Sequence, residues 1–145
     1  MTNKTSNGAV VLVGCGRLGS AILEGWLATG TVTPAELIIL TPSDKPATVA
    51  AKARGARINP PLEALADARA VVLAVKPAKW REAVAPLLDH LPADVPVISV
   101  MAGVKAGDIG GVVGRPVARV MPTTGVAQAR GVAALWSADD GARDM

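Results

Sequence analysis

From the N-terminus onward, the chain alternates between short stretches with no polar face and longer stretches whose apolar residues fall on one stripe. Six apolar runs predict strands: Ala9–Val13, Glu36–Leu40, Ala56–Ile58, Ala70–Val75, Val95–Val100 and Val117–Met121. Most are continuous rather than alternating, the pattern of strands covered on both faces. Leu37, Ile38, Ile39 and Leu40 leave no polar side at all. A further run, Gly131–Trp136, predicts an edge strand near the C-terminus.

The stretches between read as helices. Leu18, Ala21, Ile22, Gly25 and Trp26 occupy i, i+3, i+4, i+7 and i+8, one apolar stripe, and Gly30 sits where a C′ glycine ends a helix. Asn59-Pro60 resembles an N-cap followed by proline in the first helical position. After Pro77, the residues Trp80, Ala83, Val84, Leu87 and Leu88 repeat the stripe, and Pro86 is expected to kink or split that helix. Trp26 and Trp80 are thereby core candidates.

Strands alternating with helices imply parallel strands joined by right-handed crossovers. The expected fold is α/β: a doubly wound, mostly parallel sheet in three layers, with the short C-terminal edge strand added. Ligands of such sheets bind beyond the C-terminal ends of the strands, where strand order reverses. The residues that follow each apolar run are therefore the ones to read for chemistry.

After the first run stands Gly14-Cys15-Gly16-Arg17-Leu18-Gly19, a G-x-G-x-x-G motif between a strand and a helix. That context marks a dinucleotide site of the Rossmann type. Gly14 permits the tight turn, Gly16 lets the backbone approach a diphosphate, and Gly19 lets the helix pack closely on the sheet. The helix N-terminus presents unpaired N–H groups to the phosphates. Its dipole contributes only about 0.3–1 kcal/mol, whereas micromolar affinity needs about 8. The other strand ends must supply the remainder.

The second strand end selects between nicotinamide cofactors. A site for NAD usually places a carboxylate there, about 20 residues past the glycines, on the ribose 2′-hydroxyl. Here the run is Leu40-Thr41-Pro42-Ser43-Asp44-Lys45, with Thr41 near that position and no carboxylate closing the strand. Ser43 and Lys45 are candidates for a 2′-phosphate, which favours NADPH and leaves NADH possible. Asp44 is either part of that site or a cap for the next helix.

The fourth run leads through Ala74 and Val75 to Lys76-Pro77, placing Lys76 at the ligand edge, as a ligand or as a solvated charge. After the fifth run, Ala102 and Gly103 are small enough to admit a flat nicotinamide ring. After the sixth, Met121 precedes Pro122, Thr123 and Thr124, whose hydroxyls are candidates for the carboxamide or a substrate. Arg17 is either a phosphate contact or a loop charge. Cys15 reads as a small packing residue in the turn rather than a nucleophile.

Composition narrows the choice of partner. Of 145 residues, 50% are hydrophobic and 19% charged, a balance unlike that of disordered chains. Phe and Tyr are absent, which removes the usual stacking platforms for single-stranded nucleic acid. The net charge of +3 is scattered, and its one local concentration, Lys52, Arg54 and Arg57, reads as a solvated helix end. No nucleic-acid partner is expected. A single cysteine allows no internal disulfide, residues 1–7 lack the layout of a signal peptide, and no apolar run reaches membrane-spanning length. No membrane partner and a cytoplasmic location are the resulting expectations.

At these strand ends the chain resembles the pyrroline-5-carboxylate reductases, over about Gly8 to Asp140. The resemblance is carried by Gly14-x-Gly16-x-Leu18-Gly19, by Ala74-Val75-Lys76-Pro77, by Ala102-Gly103 and by Arg119-Val120-Met121-Pro122-x-Thr124, in this order and at matching separations. The paired A-V-K-P and R-V-M-P runs are more specific than the glycines. The family's usual M-P-N-T-P stands here as Met121-Pro122-Thr123-Thr124-Gly125, with an Asn and a Pro replaced.

The resemblance implies reduction of the cyclic imine Δ1-pyrroline-5-carboxylate to L-proline with NAD(P)H. It also implies a second, helical domain that forms the dimer and most of the substrate pocket. On this reading residues 1–7 are a flexible tail, 8–138 the dinucleotide-binding domain, and 139–145 the start of that helical domain. The chain alone is then expected to bind cofactor with little turnover, as a monomer or weak dimer. Its catalytic residues are unidentified: the one histidine, His90, lies at the far end of the helix after the fourth strand. β-Hydroxyacid dehydrogenases and deazaflavin-dependent NADP reductases share this type of first domain, and a non-catalytic NADP-binding module is the alternative from another class.

Overall fold

The computed structural model describes residues 8–30, 32–42, 45–101 and 103–120, with Arg17 and Leu18 described by their main chains only. Among the described residues, six strands form one parallel sheet: β1 (Ala9–Val13), β2 (Leu37–Leu40), β3 (Arg57–Ile58), β4 (Ala68–Leu73), β5 (Val97–Ser99) and β6 (Val117–Arg119). Their order is β3-β2-β1-β4-β5-β6, so strand order reverses beside β1. Four α-helices connect them: α1 (Arg17–Thr29), α2 (Pro46–Ala53), α3 (Trp80–Val84) and α4 (Ala106–Val113). This is the doubly wound α/β arrangement expected of the pattern, with every described pair parallel. The predicted edge strand at Gly131–Trp136, Trp136 itself, the tail at 1–7 and the segment 139–145 lie outside the described residues.

The continuous apolar runs are explained by two cores, one on each face of the sheet. Alternate residues of β1 divide between them. Val11 and Val13 join Trp80, Val84, Leu87, Ile109 and Val113 under α3 and α4. Val10 and Leu12 join Ile22, Leu23, Trp26, Ala47 and Ala51 under α1 and α2. Helix and sheet thus form three layers, and β1 has every side chain buried.

Prolines and turns shorten several strands relative to the apolar runs. Glu36 belongs to a 3-10 turn, Pro34–Glu36, where its carboxylate accepts the Thr33 N–H at 2.9 Å. β5 begins at Val97 because Pro96 has no N–H, although its carbonyl still accepts from Val71 at 3.0 Å. β6 likewise begins after Pro116 and ends at Arg119, two residues before Met121. β3 starts at Arg57 rather than Ala56. β4 runs from Ala68 to Leu73, earlier than its apolar run at both ends, because Ala68 pairs with Ala9 across an irregularity in register. Ala74 and Val75 therefore lie beyond the strand, at the ligand edge.

Helix ends follow the same logic with one exception. Gly30 adopts the left-handed conformation at φ 75° and returns its N–H to Trp26 at 2.8 Å. Pro86 splits the predicted long helix into α3 and a 3-10 turn, Ala85–Leu87. Asn59 is not an N-cap. The segment after it is a 3-10 helix, Leu62–Asp67, capped from Pro61, and Asn59 itself has φ 49°. Arg115 joins the second layer in a way the sequence pattern does not announce. Its guanidinium donates to the carbonyls of Pro92, Val113, Leu88 and Leu91, closing the C-terminal ends of two helical segments.

Candidate dinucleotide-binding site

At the C-terminal edge of the sheet, backbone hydrogen bonds continue past the strand ends and place the candidate residues side by side. Gly14 N–H donates to Leu40 O at 2.7 Å, and Ala74 N–H donates to Val13 O at 2.9 Å. Val100 N–H donates to Leu73 O at 3.1 Å, and Val120 N–H donates to Ser99 O at 2.9 Å. The turn after β1 is thereby flanked by Thr41 on one side and by Ala74-Val75 on the other. This is the point of strand reversal where an open sheet binds its ligand.

The three glycines of the turn face different surroundings. Gly14 has φ 90°, and a Cβ there would lie 2.6 Å from Val75 Cγ1 and 3.0 Å from Ala74 O. A Cβ on Gly19 would lie 2.6 Å from Gly14 O. The glycine turn and the Ala74-Val75 segment thus interlock, with no room for side chains at their contact. Gly16 is the opposite case: it is exposed, and a Cβ there would meet nothing within 4 Å. The space above Gly16 is open, as a backbone meant to approach a ligand requires.

Gly16 is also the N-cap of α1, and it offers no side-chain cap. Its carbonyl accepts the first helical bond from Ser20 at 2.8 Å. The amides of the first turn have no intrahelical acceptor and form a donor set with a partial positive charge. No acidic residue stands in that turn. Open space, free donors and positive polarity fit a diphosphate.

Cys15 packs inward, with 2% of its surface exposed. Its Sγ lies 3.6 Å from Ser20 Oγ, and the Ser20 hydroxyl donates to Cys15 O at 3.2 Å. Burial pushes the thiol up from its usual range, against the opposing effects of the Ser20 contact and the Lys45 charge. A buried neutral thiol is a packing group, not a nucleophile. Alkylation by a maleimide at neutral pH is expected to run more than about tenfold slower in the native chain than in the denatured one. Equal rates would show the thiol to be accessible and ionised.

Lys45 is half-buried at the N-cap of α2, and its N–H donates to Thr48 Oγ1 at 2.8 Å. Thr41 is buried at the end of β2. Lys76 and Pro77 are exposed just past β4, where Lys76 caps a 3-10 turn, Pro77–Lys79. Gly103 is exposed, and Met101 before it is buried. Ser43, Asp44, Ala102, Met121, Thr123 and Thr124 lie outside the described residues, as do the side chains of Arg17 and Leu18. His90 sits in the turn after Leu87, half-buried, with its N–H on Leu87 O.

Two residues of this edge escaped the sequence reading. Ser99 is fully buried, and its hydroxyl accepts the Met101 N–H at 3.2 Å, shaping the chain as it leaves β5. Asn59 grips the main chain of Thr41 from the next strand. An asparagine directly after a strand and before a proline carries a usable signal. Asn tolerates the left-handed region better than most residues, and the following proline disfavours the helical one.

Comparison with known proteins agrees with this geometry. Residues 9–103 match the family described as NADP oxidoreductase, coenzyme F420-dependent. The pyrroline-5-carboxylate reductase of Escherichia coli (strain K12) is 34% identical over 117 residues, which cover 77% of this chain and 43% of that protein. A pyrroline-5-carboxylate reductase structure from Coxiella burnetii superposes with a TM-score of 0.70 at 26% identity, covering 83% of this chain and 46% of the other. The Plasmodium falciparum pyrroline carboxylate reductase, solved with NADP bound, shares the fold with a TM-score of 0.63 at 24% identity, over 81% of this chain and 43% of its own. The chain thus spans less than half the length of these relatives. It belongs to the NADP oxidoreductase, coenzyme F420-dependent family, and within it shares the dinucleotide-binding architecture of the pyrroline-5-carboxylate reductases.

Proposed function

We propose that this chain is the cofactor-binding domain of an NADPH-dependent reductase of the pyrroline-5-carboxylate type. The observation that carries the proposal is the contrast within the glycine turn. Gly14 and Gly19 are closed off by protein, whereas Gly16 opens onto empty space above an uncapped helix N-terminus.

In this reading the amides at the start of α1 hold the diphosphate, with the main chain of Gly14, Cys15, Gly16, Arg17, Leu18 and Gly19 as its cradle. Thr41, Ser43 and Lys45 take the adenosine ribose, and Lys45 provides the positive charge for a 2′-phosphate. Ala74, Val75, Lys76 and Pro77 form the next wall, while Ala102, Gly103, Met121, Thr123 and Thr124 border the nicotinamide. A reduced nicotinamide held there would supply hydride to the carbon of a protonated cyclic imine, giving the saturated amine and the oxidised cofactor. The chain's own residues orient the cofactor and exclude water beneath it through the buried β1, β4 and β5 ends.

The imine substrate, a helical domain from residue 139 onward, a homo-oligomeric full-length enzyme and a cytoplasmic location belong to the same proposal. Residues 8–138 would form the cofactor domain. No helix among the described residues is long and apolar enough to cross a membrane. The family's description supports a second reading for the electron partner, coenzyme F420 in place of an imine, over the same NADP site.

Calorimetric titration of the 145-residue chain tests the shared core of both readings. NADPH is expected to bind more tightly than NADH, and no heat with either would overturn the proposal. Lys45→Ala is expected to weaken NADPH roughly ten- to a hundredfold, the value of a hydrogen bond to a charged group. NADH should change little; equal losses for both cofactors would remove Lys45 from the 2′ position. Oxidation of NADPH by the cyclic imine, against oxidation by F420, separates the two electron partners.

A further inference from the structure

We propose that Asn59 is a positioning residue for the adenosine end of the cofactor, acting through the main chain of Thr41. The proposal rests on the NADP(H) reading given above. Asn59 itself is not assigned a contact with the nucleotide.

The geometry begins with the β2–β3 ladder. Its last paired residues are Ile39 and Ile58, and the next rung is the Asn59 N–H donating to Ile39 O at 2.8 Å. At φ 49° the main chain of Asn59 then turns away from the sheet, so the ladder's following rung has no peptide to form it. The side-chain carboxamide takes that place. Asn59 Oδ1 accepts the Thr41 N–H at 2.9 Å, and Asn59 Nδ2 donates to Thr41 O at 2.8 Å. One side chain thus mimics a strand and holds both peptide groups that flank Thr41.

Residue 42 is proline and carries no N–H of its own. On the opposite flank, Leu40 O is tied to the Gly14 N–H at 2.7 Å. The end of β2 is therefore held from the glycine turn on one side and from Asn59 on the other. Further along, Lys45 is anchored at its own N–H by Thr48. Thr41 and Lys45 are two of the residues proposed above to take the ribose, and Asn59 sets the first of them.

The cost of the arrangement supports a positioning role over a purely structural one. A left-handed conformation is uncommon outside glycine, and Asn59 is exposed. The two bonds are part-buried and end on a buried Thr41, so their loss costs some stability, and water at the exposed Asn59 position limits that cost. What they do fix is direction: the carboxamide has one acceptor and one donor edge, and both are used on one residue. A discriminating contact with a 2′ substituent depends on such direction more than on strength.

Asn59→Gly separates the roles, since glycine accepts φ 49° without strain yet removes both hydrogen bonds. In the 145-residue chain without cofactor, the Thr41 amide is expected to exchange with deuterium at least about tenfold faster in the variant, with a melting temperature lowered by only about 3–6 °C. NADPH affinity should fall about tenfold and NADH affinity less, so that the preference for NADPH shrinks. Unchanged protection of the Thr41 amide would overturn the clamp. Equal weakening of both dinucleotides, or a large fall in melting temperature, would mark Asn59 as a structural residue and equally overturn the proposal. Failure of the unsubstituted chain to bind either dinucleotide overturns the NADP(H) reading itself and is seen before any substitution is made.

Discussion

Gly16→Val is expected to weaken NADPH binding by more than about a hundredfold while the chain stays folded. The loss follows from position: the new side chain would fill the open space above the first turn of α1, where nothing of the protein now stands within 4 Å. A diphosphate displaced from there forfeits at least two charge-assisted bonds from main-chain amides, at about 1.5–3 kcal/mol each. The fold has little reason to respond. Gly16 is exposed and has φ −76°, so no left-handed conformation is at stake. Valine is a poorer N-cap than glycine, which accounts for a fall of about 3–6 °C in melting temperature. Titration calorimetry and thermal denaturation on the same sample decide it. Undiminished NADPH affinity would place the nucleotide elsewhere.

The same substitution three residues later should do the reverse. Gly19→Val puts a Cβ 2.6 Å from Gly14 O and 3.2 Å from Gly14 C. These are backbone atoms of a turn already tied to Leu40 and pressed against Val75. No flexible side chain is available to give way, so α1 must lift from the sheet or the turn must deform. Overpacking a well-filled core costs about 1–3 kcal/mol, and contact with fixed backbone belongs at or above the top of that range. Against a total stability of about 5–15 kcal/mol, that is a large fraction. Chemical denaturation should show a clear fall in midpoint, and saturating NADPH should not restore it. A Gly19→Val chain as stable as the parent would refute the interlock of turn, helix and Ala74-Val75.

The pair of glycines shows how much of the site could be read in one dimension. Spacing alone assigned Gly14 to a turn and Gly19 to packing, and the surroundings of both match; Gly16, expected to let a ligand approach, has open space where a Cβ would stand. The reason is that the motif's geometry is local: one strand, one turn and one helix determine it. The thiol of Cys15 could be read as a packing group, but its contact with Ser20 could be known only from the folded chain.

Asn59 marks the limit of such reading. Next to Pro60 it has the local signature of an N-cap, yet it turns left-handed and spends its side chain on Thr41, 18 residues away. Arg115 behaves likewise, with its donors on carbonyls that include Leu88, 27 residues earlier. Both residues satisfy backbone groups left over where elements end, and which groups are left over depends on how the elements have packed.

Hydrophobic period, glycine spacing and proline placement were enough to settle the α/β class, the parallel sheet and the position of β1. Each of these depends on contacts within a few residues, or on the simple need to bury an apolar run on both faces. Strand ends, the capture of Thr41 by Asn59 and the reach of Arg115 to the carbonyls of Leu88 and Leu91 were decided only when distant segments met. Their hydrogen bonds and charges join residues that no periodicity connects, and only packing brings such groups within reach of one another.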